Sequence, residues 1–300
     1  MMKLACPRCH AFLDDVDSTT THCSIDGLTF RQIDGIWRML LPEREEYFAR
    51  FIRDYETVRR FEGRGSAEAS YYGTLPYFET SDWRIRAASY DTFLKSVVIP
   101  NEGNSKPLRI LDLGAGNGWL SNRLAARGHD VSAVDLMTND FDGLGCHKFY
   151  EAKFLPVQAE FDHLPFSDAA ADMVLFNASL HYSTNYKVTL TEALRVLNDS
   201  GALVILDSPV YHDFQSGAQM VREREAQFTK QYGLASNSLT SENYITYRRL
   251  DALTRDLKLT WRFVTPFYNL QWTLRPLLAF LLDRREPARF HVIIGEKRSI

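Results

Sequence analysis

Residues 109–136 read RILDLGAGNGWLSNRLAARGHDVSAVDL, and the order of residue types in this stretch decides the fold. Arg109-Ile110-Leu111-Asp112-Leu113 is a short, mostly apolar run that suits a strand buried on both faces, and Gly114-Ala115-Gly116-Asn117-Gly118 then turns the chain. Trp119, Leu120, Leu124 and Ala125 recur at helical spacing until Gly128, which fits a helix end. A second short strand, 131–134, stops on Asp135. Strand, glycine turn, helix, strand and terminal acid together predict one nucleotide-binding βαβ unit.

The chemistry of the turn separates two ligand classes. A pyrophosphate asks for Gly-x-Gly-x-x-Gly, but Trp119 holds the third place and the spacing is Gly-x-Gly-x-Gly. Asp112, just ahead of the turn, would repel phosphates and pair with a cation such as the ammonium of a methionine moiety. Asp135 offers two acceptor oxygens to the vicinal hydroxyls of a ribose. The pattern resembles motif I and the following acid of class I S-adenosylmethionine-dependent methyltransferases. That resemblance implies an α/β fold, a Rossmann-like seven-stranded sheet with strand 7 antiparallel and helices on both faces. It also implies S-adenosylmethionine as cofactor, S-adenosylhomocysteine as product, and cofactor contacts from Asp112, Gly114, Ala115, Gly116, Asn117, Asp135 and Leu136.

Three hundred residues at 45% hydrophobic content allow a core domain with an appendage. The most apolar late stretch, 272–282, is broken by Arg275 and Pro276 and is too short to span a membrane. Cys6-Pro7-Arg8-Cys9 interrupts any signal-like start, so a cytoplasmic protein is expected. A net charge of −3 gives no global attraction to nucleic acid.

Residues 1–41 read as a small module. Cys6 and Cys9 form a Cys-x-x-Cys knuckle, and Cys23 returns where a zinc ribbon places its second pair, with Asp26 where a fourth cysteine is usual. A structural Zn²⁺ on Cys6, Cys9, Cys23 and either Asp26 or His22 is expected, against a ribbon that has lost its metal; Cys146 reads as an ordinary buried thiol. A hairpin follows around Asp34-Gly35. In layout this module ahead of the core resembles bacterial 23S ribosomal RNA guanine-N1 methyltransferases, although Gly27 stands where those enzymes place a histidine. The core motifs resemble ubiquinone/menaquinone-type small-molecule methyltransferases.

Residues 42–100 predict a helical cap or lid, with an amphipathic helix over 45–61 and a second over 82–98. Arg64, Tyr71, Tyr72 and Tyr77 are candidates for the acceptor pocket, or else pack the cap onto the sheet. The linker 101–107 opens the catalytic domain, 101–300, with insertions at about 211–240 and 267–288. A third strand is expected at 154–157. The segment 158–166 then resembles the family's D-A-x-x-L-P-F, which implies that Glu160 accepts from the adenine amino group beside Phe161, with Asp162 as the alternative. The fourth strand, 171–176, delivers Asn177, His181 and Tyr182 to the sheet edge where such folds bind ligands. His181 is the candidate base, its ordinary pKa of about 6.5 suiting proton removal, with a packing role as the alternative. Asp207, Tyr211 and His212 flank the same cleft. The remaining elements are helices at 189–197, 216–233 and 242–257, the last capped by Thr240 or Ser241, and strands at 202–206, 258–264 and 289–296. The apolar insertion 272–282 reads as core, dimer contact or a wall for a greasy substrate.

The expected function is methyl transfer to a small-molecule acceptor at O, N or C, governed by positioning rather than a strong base. The alternatives are a ribosomal or transfer RNA base methyltransferase guided by the ribbon, and a non-catalytic binding module on the same fold.

Overall fold

The computed structural model describes residues 2–102, 107–233, 235 and 239–297. The middle of the expected linker, 103–106, and part of the tail of the expected 211–240 insertion lie outside the described residues. The strands are β1 (Asp14–Asp17), β2 (Thr20–His22), β3 (Thr29–Ile33), β4 (Ile36–Arg38), β5 (Arg109–Leu113), β6 (Asp130–Asp135), β7 (Leu155–Gln158), β8 (Ala171–Asn177), β9 (Leu197–Leu206), β10 (Val210–Tyr211), β11 (Ile245–Thr246), β12 (Leu259–Val264) and β13 (Val292–Lys297). The helices are α1 (Pro42–Phe61), α2 (Ala69–Thr74), α3 (Ser81–Phe93), α4 (Ile99–Glu102), α5 (Trp119–Ala125), α6 (Tyr186–Val196), α7 (Phe214–Tyr232), α8 (Tyr247–Leu257) and α9 (Leu270–Leu281).

The core sheet runs β7-β6-β5-β8-β9-β13-β12, with β5, β6, β7, β8 and β9 parallel and β13 antiparallel to both neighbours, the expected seven-stranded arrangement. Strand order reverses between β5 and β8, which places the ligand-binding crevice at their carboxyl ends. Side chains alternate between the two faces. Leu111, Leu113, Val134, Val174 and Ile205 face α6 and α8, whereas Ile110, Ala133, Leu175 and Val204 face α3 and α5.

The N-terminal module is continuous with this sheet. β4 pairs in parallel with β7 (Trp37 with Val157, Arg38 with Gln158), and β3, β2 and β1 extend it antiparallel, giving eleven strands. Its hairpin turns at Asp34-Gly35, as expected, with Ile33 opposite Ile36. The module's Cys6, Cys23, Phe30 and Met39 join the core of the larger sheet rather than forming a separate one.

Several expected boundaries shift. The helix expected from 242 begins at Tyr247, capped by Thr246, whose Oγ1 accepts the Arg249 N–H at 3.1 Å. The preceding residues instead pair as β11 with β10, because Tyr244 and Ile245 are buried. The apolar insertion is α9, and none of its residues is buried, so it is not core. Among the described residues no helix is long and apolar enough to cross a membrane.

Candidate active site

A cavity of about 560 Å³ opens at the carboxyl ends of β5, β6, β8 and β9, roofed by α1, α7 and α9. Its volume suits a small-molecule site. The glycine turn forms one wall through Gly114, Ala115, Gly116 and Asn117. Gly114 has φ +74°, and a Cβ there would lie 2.3 Å from the Ser179 Cβ, so this close approach of the turn to the segment leaving β8 needs glycine. Gly118, at φ +78°, starts α5 against the Phe154 ring, where a Cβ would meet Cζ at 2.7 Å.

Asp135 lies in the cavity wall at the end of β6. Its Oδ2 accepts the Gly116 N–H at 2.8 Å and its Oδ1 the Met137 N–H at 2.7 Å, which leaves each oxygen a lone pair for a ligand hydroxyl. Burial raises its pKa to about 6 despite these backbone donors. Leu136, Phe161 and Asn177 line the same wall.

Asp112 does not reach it. The two-residue alternation of β5 turns this fully buried side chain beneath α5, where the Ser121 hydroxyl donates to Oδ2 at 2.7 Å and Oδ1 has no partner. Burial pushes its pKa up to about 7. The expectation that Asp112 pairs with a ligand ammonium is corrected: the cavity wall passes it by.

Glu160 lines the cavity, and three donors from Arg44 and His163 meet its carboxylate. Arg44 of α1 donates Nε to Oε1 and Nη2 to Oε2, each at 2.5 Å, and His163 Nδ1 lies 2.8 Å from Oε1. Burial works to raise its pKa, but His163 and Arg44 outweigh it and hold the group below its ordinary value. Oε2 takes one of these donors and keeps a lone pair, so the carboxylate retains an acceptor for the adenine-amino role expected of Glu160. The alternative, Asp162, lines the cavity and accepts from Thr189 Oγ1 at 2.5 Å.

His181 and Tyr182 face the cavity, with His181 Nδ1 3.4 Å from Ser208 Oγ. Burial, then the positive charges of Arg224 and Arg86, lower the His181 pKa to about 3. The ring is neutral at physiological pH and a weak base, unlike the imidazole of ordinary pKa that the sequence suggested.

Of the cap candidates, Arg64 lines the cavity, paired with Asp82 at 3.0 Å. Tyr71, Tyr72 and Tyr77 do not. Their hydroxyls bond Trp83 Nε1 (3.2 Å), the Phe141 carbonyl (2.6 Å) and Asp91 (2.8 Å), so they pack the cap onto the sheet. Tyr211 lines the cavity and is fully buried, whereas His212 is exposed and stacks on Tyr247 at 4.2 Å. Sequence reading missed Tyr55 and Arg59, although their i, i+4 spacing on the amphipathic stripe of α1 puts both on one face. Arg59 Nε donates to Asp142 at 2.5 Å, and Asp142 in turn accepts from Asn117 Nδ2 at 3.3 Å, tying the roof helix to the glycine turn. Arg86, Arg224, Trp272 and Arg275 were missed as well, since no local motif marks them.

Residues 111–205 match the family model described as a methyltransferase domain. This is a class I S-adenosylmethionine-dependent methyltransferase domain. Malonyl-[acyl-carrier protein] O-methyltransferase of Erwinia pyrifoliae is 32% identical over 97 residues, 32% of this chain and 36% of that one. An uncharacterised methyltransferase of Mycobacterium tuberculosis is 31% identical over 141 residues, 46% of this chain and 49% of that one. The chain thus spans roughly a third to a half of the length of the curated relatives it matches. The solved carbon methyltransferase CurJ shares the fold, at TM-score 0.51 and 15% identity, covering 76% of this chain and 58% of that one. The match to the methyltransferase domain begins within β5 and ends within β9, so the ribbon, α1 and the roof elements α7 and α9 lie outside it.

A second cluster lies in the ribbon. One ligand atom from each of Cys6, Cys9, Cys23 and Asp26 falls within 4.8 Å of all the others. Cys6 Sγ is 3.2 Å from Asp26 Oδ2, and Cys9 Sγ is 3.5 Å from Cys23 Sγ. Three thiols and a carboxylate at these separations fit a tetrahedral divalent ion. His22 is turned away, its Nδ1 3.1 Å from Thr29 Oγ1.

Proposed function

We propose that this chain transfers a methyl group from S-adenosylmethionine to a small-molecule acceptor held in the cavity under α1, α7 and α9. The observation that carries the reading is the meeting of the glycine turn and Asp135 with a roofed, aromatic-lined chamber in one cavity. S-adenosylmethionine, once bound, supplies a methyl group already activated by a positively charged sulfur. The chain's part is then to position the partners and exclude water. Asp135 would hold the ribose hydroxyls, Leu136 and Phe161 would flank the adenine, and Ala115, Gly116, Asn117 and Asn177 would line the amino-acid end. A neutral His181 orients the acceptor rather than deprotonating it.

The malonyl-[acyl-carrier protein] O-methyltransferase relative, named for a malonyl group, supports an acceptor whose reacting end is small. The ribbon's outer strand argues against nucleic acid: β1 is DDVD, exposed throughout, and an acidic face repels a nucleic-acid backbone. We further infer that the ribbon holds a structural Zn²⁺ on Cys6, Cys9, Cys23 and Asp26. A cytoplasmic setting, where thiols stay reduced, accompanies this reading.

Calorimetric titration of S-adenosylhomocysteine tests the cofactor site. Asp135→Ala is expected to weaken binding by about 10- to 100-fold, the worth of hydrogen bonds to a charged acceptor. Equal affinity in both proteins would overturn the assignment of Asp135.

A further inference from the structure

Away from the glycine turn, the cavity wall is built from α3, the ends of β8 and β9, α7 and α9, and it carries more positive charge than its own carboxylates balance. Elsewhere in the cavity each carboxylate is engaged: Asp135 by backbone N–H groups, Glu160 by Arg44, Asp142 by Arg59, Glu62 by Arg59 and Arg64, and Asp162 by Thr189. At this end Asp207 accepts the Ser89 hydroxyl at 2.5 Å. Of the four arginines here, Arg285 is paired with Glu223 at 2.7 Å, and three others stand against Asp207. Arg86 sits 4.9 Å over the Trp83 ring, and no hydrogen bond or ion pair among the described residues holds its guanidinium. Arg275 lies 4.0 Å over the Trp272 ring in the same condition. Arg224 donates Nη2 to Asn243 at 2.9 Å and lies 3.8 Å from Glu225 Oε1, while its Nε is buried without a partner. The hydroxyl of Tyr211, a residue with no exposed surface, is also without a partner, although Tyr211 lines the cavity.

Buried polar atoms are nearly always satisfied, which leaves Arg224 Nε and the Tyr211 hydroxyl calling for a partner, while the half-buried guanidiniums of Arg86 and Arg275 present unpaired charge to the cavity. The planar fork of a guanidinium matches a carboxylate or a phosphate. Phe228, Trp272 and Phe290 supply apolar surface between these groups. We infer that this end of the cavity is an anion-binding site, in which Arg86 and Arg275, assisted by Arg224 and Tyr211, hold the carboxylate or phosphate of an acceptor with an apolar body. The arginines are positioning residues: they anchor one end of the acceptor and so fix where its reacting atom lies. Calling the occupant an acceptor rests on the proposed methyl transfer; the anion site itself does not.

The experiment keeps the two apart. S-adenosylhomocysteine is titrated first into the full chain, and a chain that does not bind it sinks the methyltransferase reading. Benzoate, phenyl phosphate, benzyl alcohol and benzylamine are then titrated by calorimetry into the chain with and without S-adenosylhomocysteine. At least one anion is expected to bind about 10-fold or more tightly than benzyl alcohol, with benzylamine weakest. The tighter of benzoate and phenyl phosphate identifies the anionic group. Arg86→Met and Arg275→Met should each lower anion affinity by about 10- to 100-fold while S-adenosylhomocysteine affinity stays within about twofold. Arg86→Lys, which keeps the charge and loses the fork, should fall between. Benzyl alcohol binding as tightly as both anions, neither anion binding at about 10 mM, or an anion preference that survives both methionine substitutions would each overturn the inference.

Discussion

Asp112→Asn separates the electrostatics suggested by the sequence from those of the fold. Asp112 is fully buried, and with only Ser121 bonded to it burial raises its pKa from 3.8 to about 7. A folded-state pKa above the unfolded one means that the folded chain binds the proton more tightly. The group's stabilising contribution is therefore complete below about pH 3.8 and is lost as pH rises through about 7. Moving a carboxyl from 3.8 to about 7 corresponds to about 4 kcal/mol, of which roughly 3 kcal/mol is lost between pH 5 and pH 8. The asparagine variant lacks this slope. Its amide places an NH₂ or a carbonyl where Oδ1 has no partner, a constant cost of about 1–3 kcal/mol that offsets part of the gain but leaves the pH dependence intact. Urea unfolding of both proteins from pH 5 to pH 8 should show Asp112→Asn gaining about 3 kcal/mol on the wild type across that range, with S-adenosylhomocysteine affinity unchanged within about threefold. The reasoning is refuted if the stability difference is flat with pH, or if the variant folds normally and loses cofactor affinity by more than about 10-fold. The second outcome would restore the ammonium-pairing role.

Two further expectations follow from the site and the ribbon. Since His181 has a pKa of about 3, the methyl-transfer rate with a found acceptor should show no histidine inflection between about pH 5.5 and 8, and His181→Gln should change it by less than about 10-fold; an inflection near 6.5 that vanishes in the variant would make His181 a base after all. Purified chain should carry about one zinc by mass spectrometry, Cys9→Ser should lower both the zinc content and the melting temperature, and wild-type zinc below about 0.2 per chain would count against the ribbon's metal site.

Legibility from sequence followed the range of the interactions. The βαβ unit was readable because its signals are consecutive: an apolar run, a turn with positive φ at Gly114, Gly116 and Gly118, and an acid at the next strand's end. Asp112 was misread because its place ahead of the turn is visible in sequence, while the face to which a strand directs it depends on the packing of α5. Glu160 fits its motif, yet Arg44, its partner, lies 116 residues away in a helix the motif does not contain. Separation in sequence likewise hid the arginine-lined end of the cavity, which draws Arg86 from α3, Arg224 from α7 and Arg275 from α9. The tyrosines at 71, 72 and 77 show the opposite error: aromatic clusters near a lid suggest a pocket, but hydrogen bonds to Trp83, Phe141 and Asp91 make them mortar.

The pairing of β4 with β7 also bears on how the chain avoids its own copies. Without the ribbon, β7 would be a short, apolar terminal strand with its amides and carbonyls facing outward, a template on which another molecule's strand could lie. The ribbon occupies that template and ends it in β1, whose three aspartates make an incoming strand unwelcome. By this geometry the cysteine cluster, none of whose residues lines the cavity, stands guard over solubility: loosening it would uncover a sticky border.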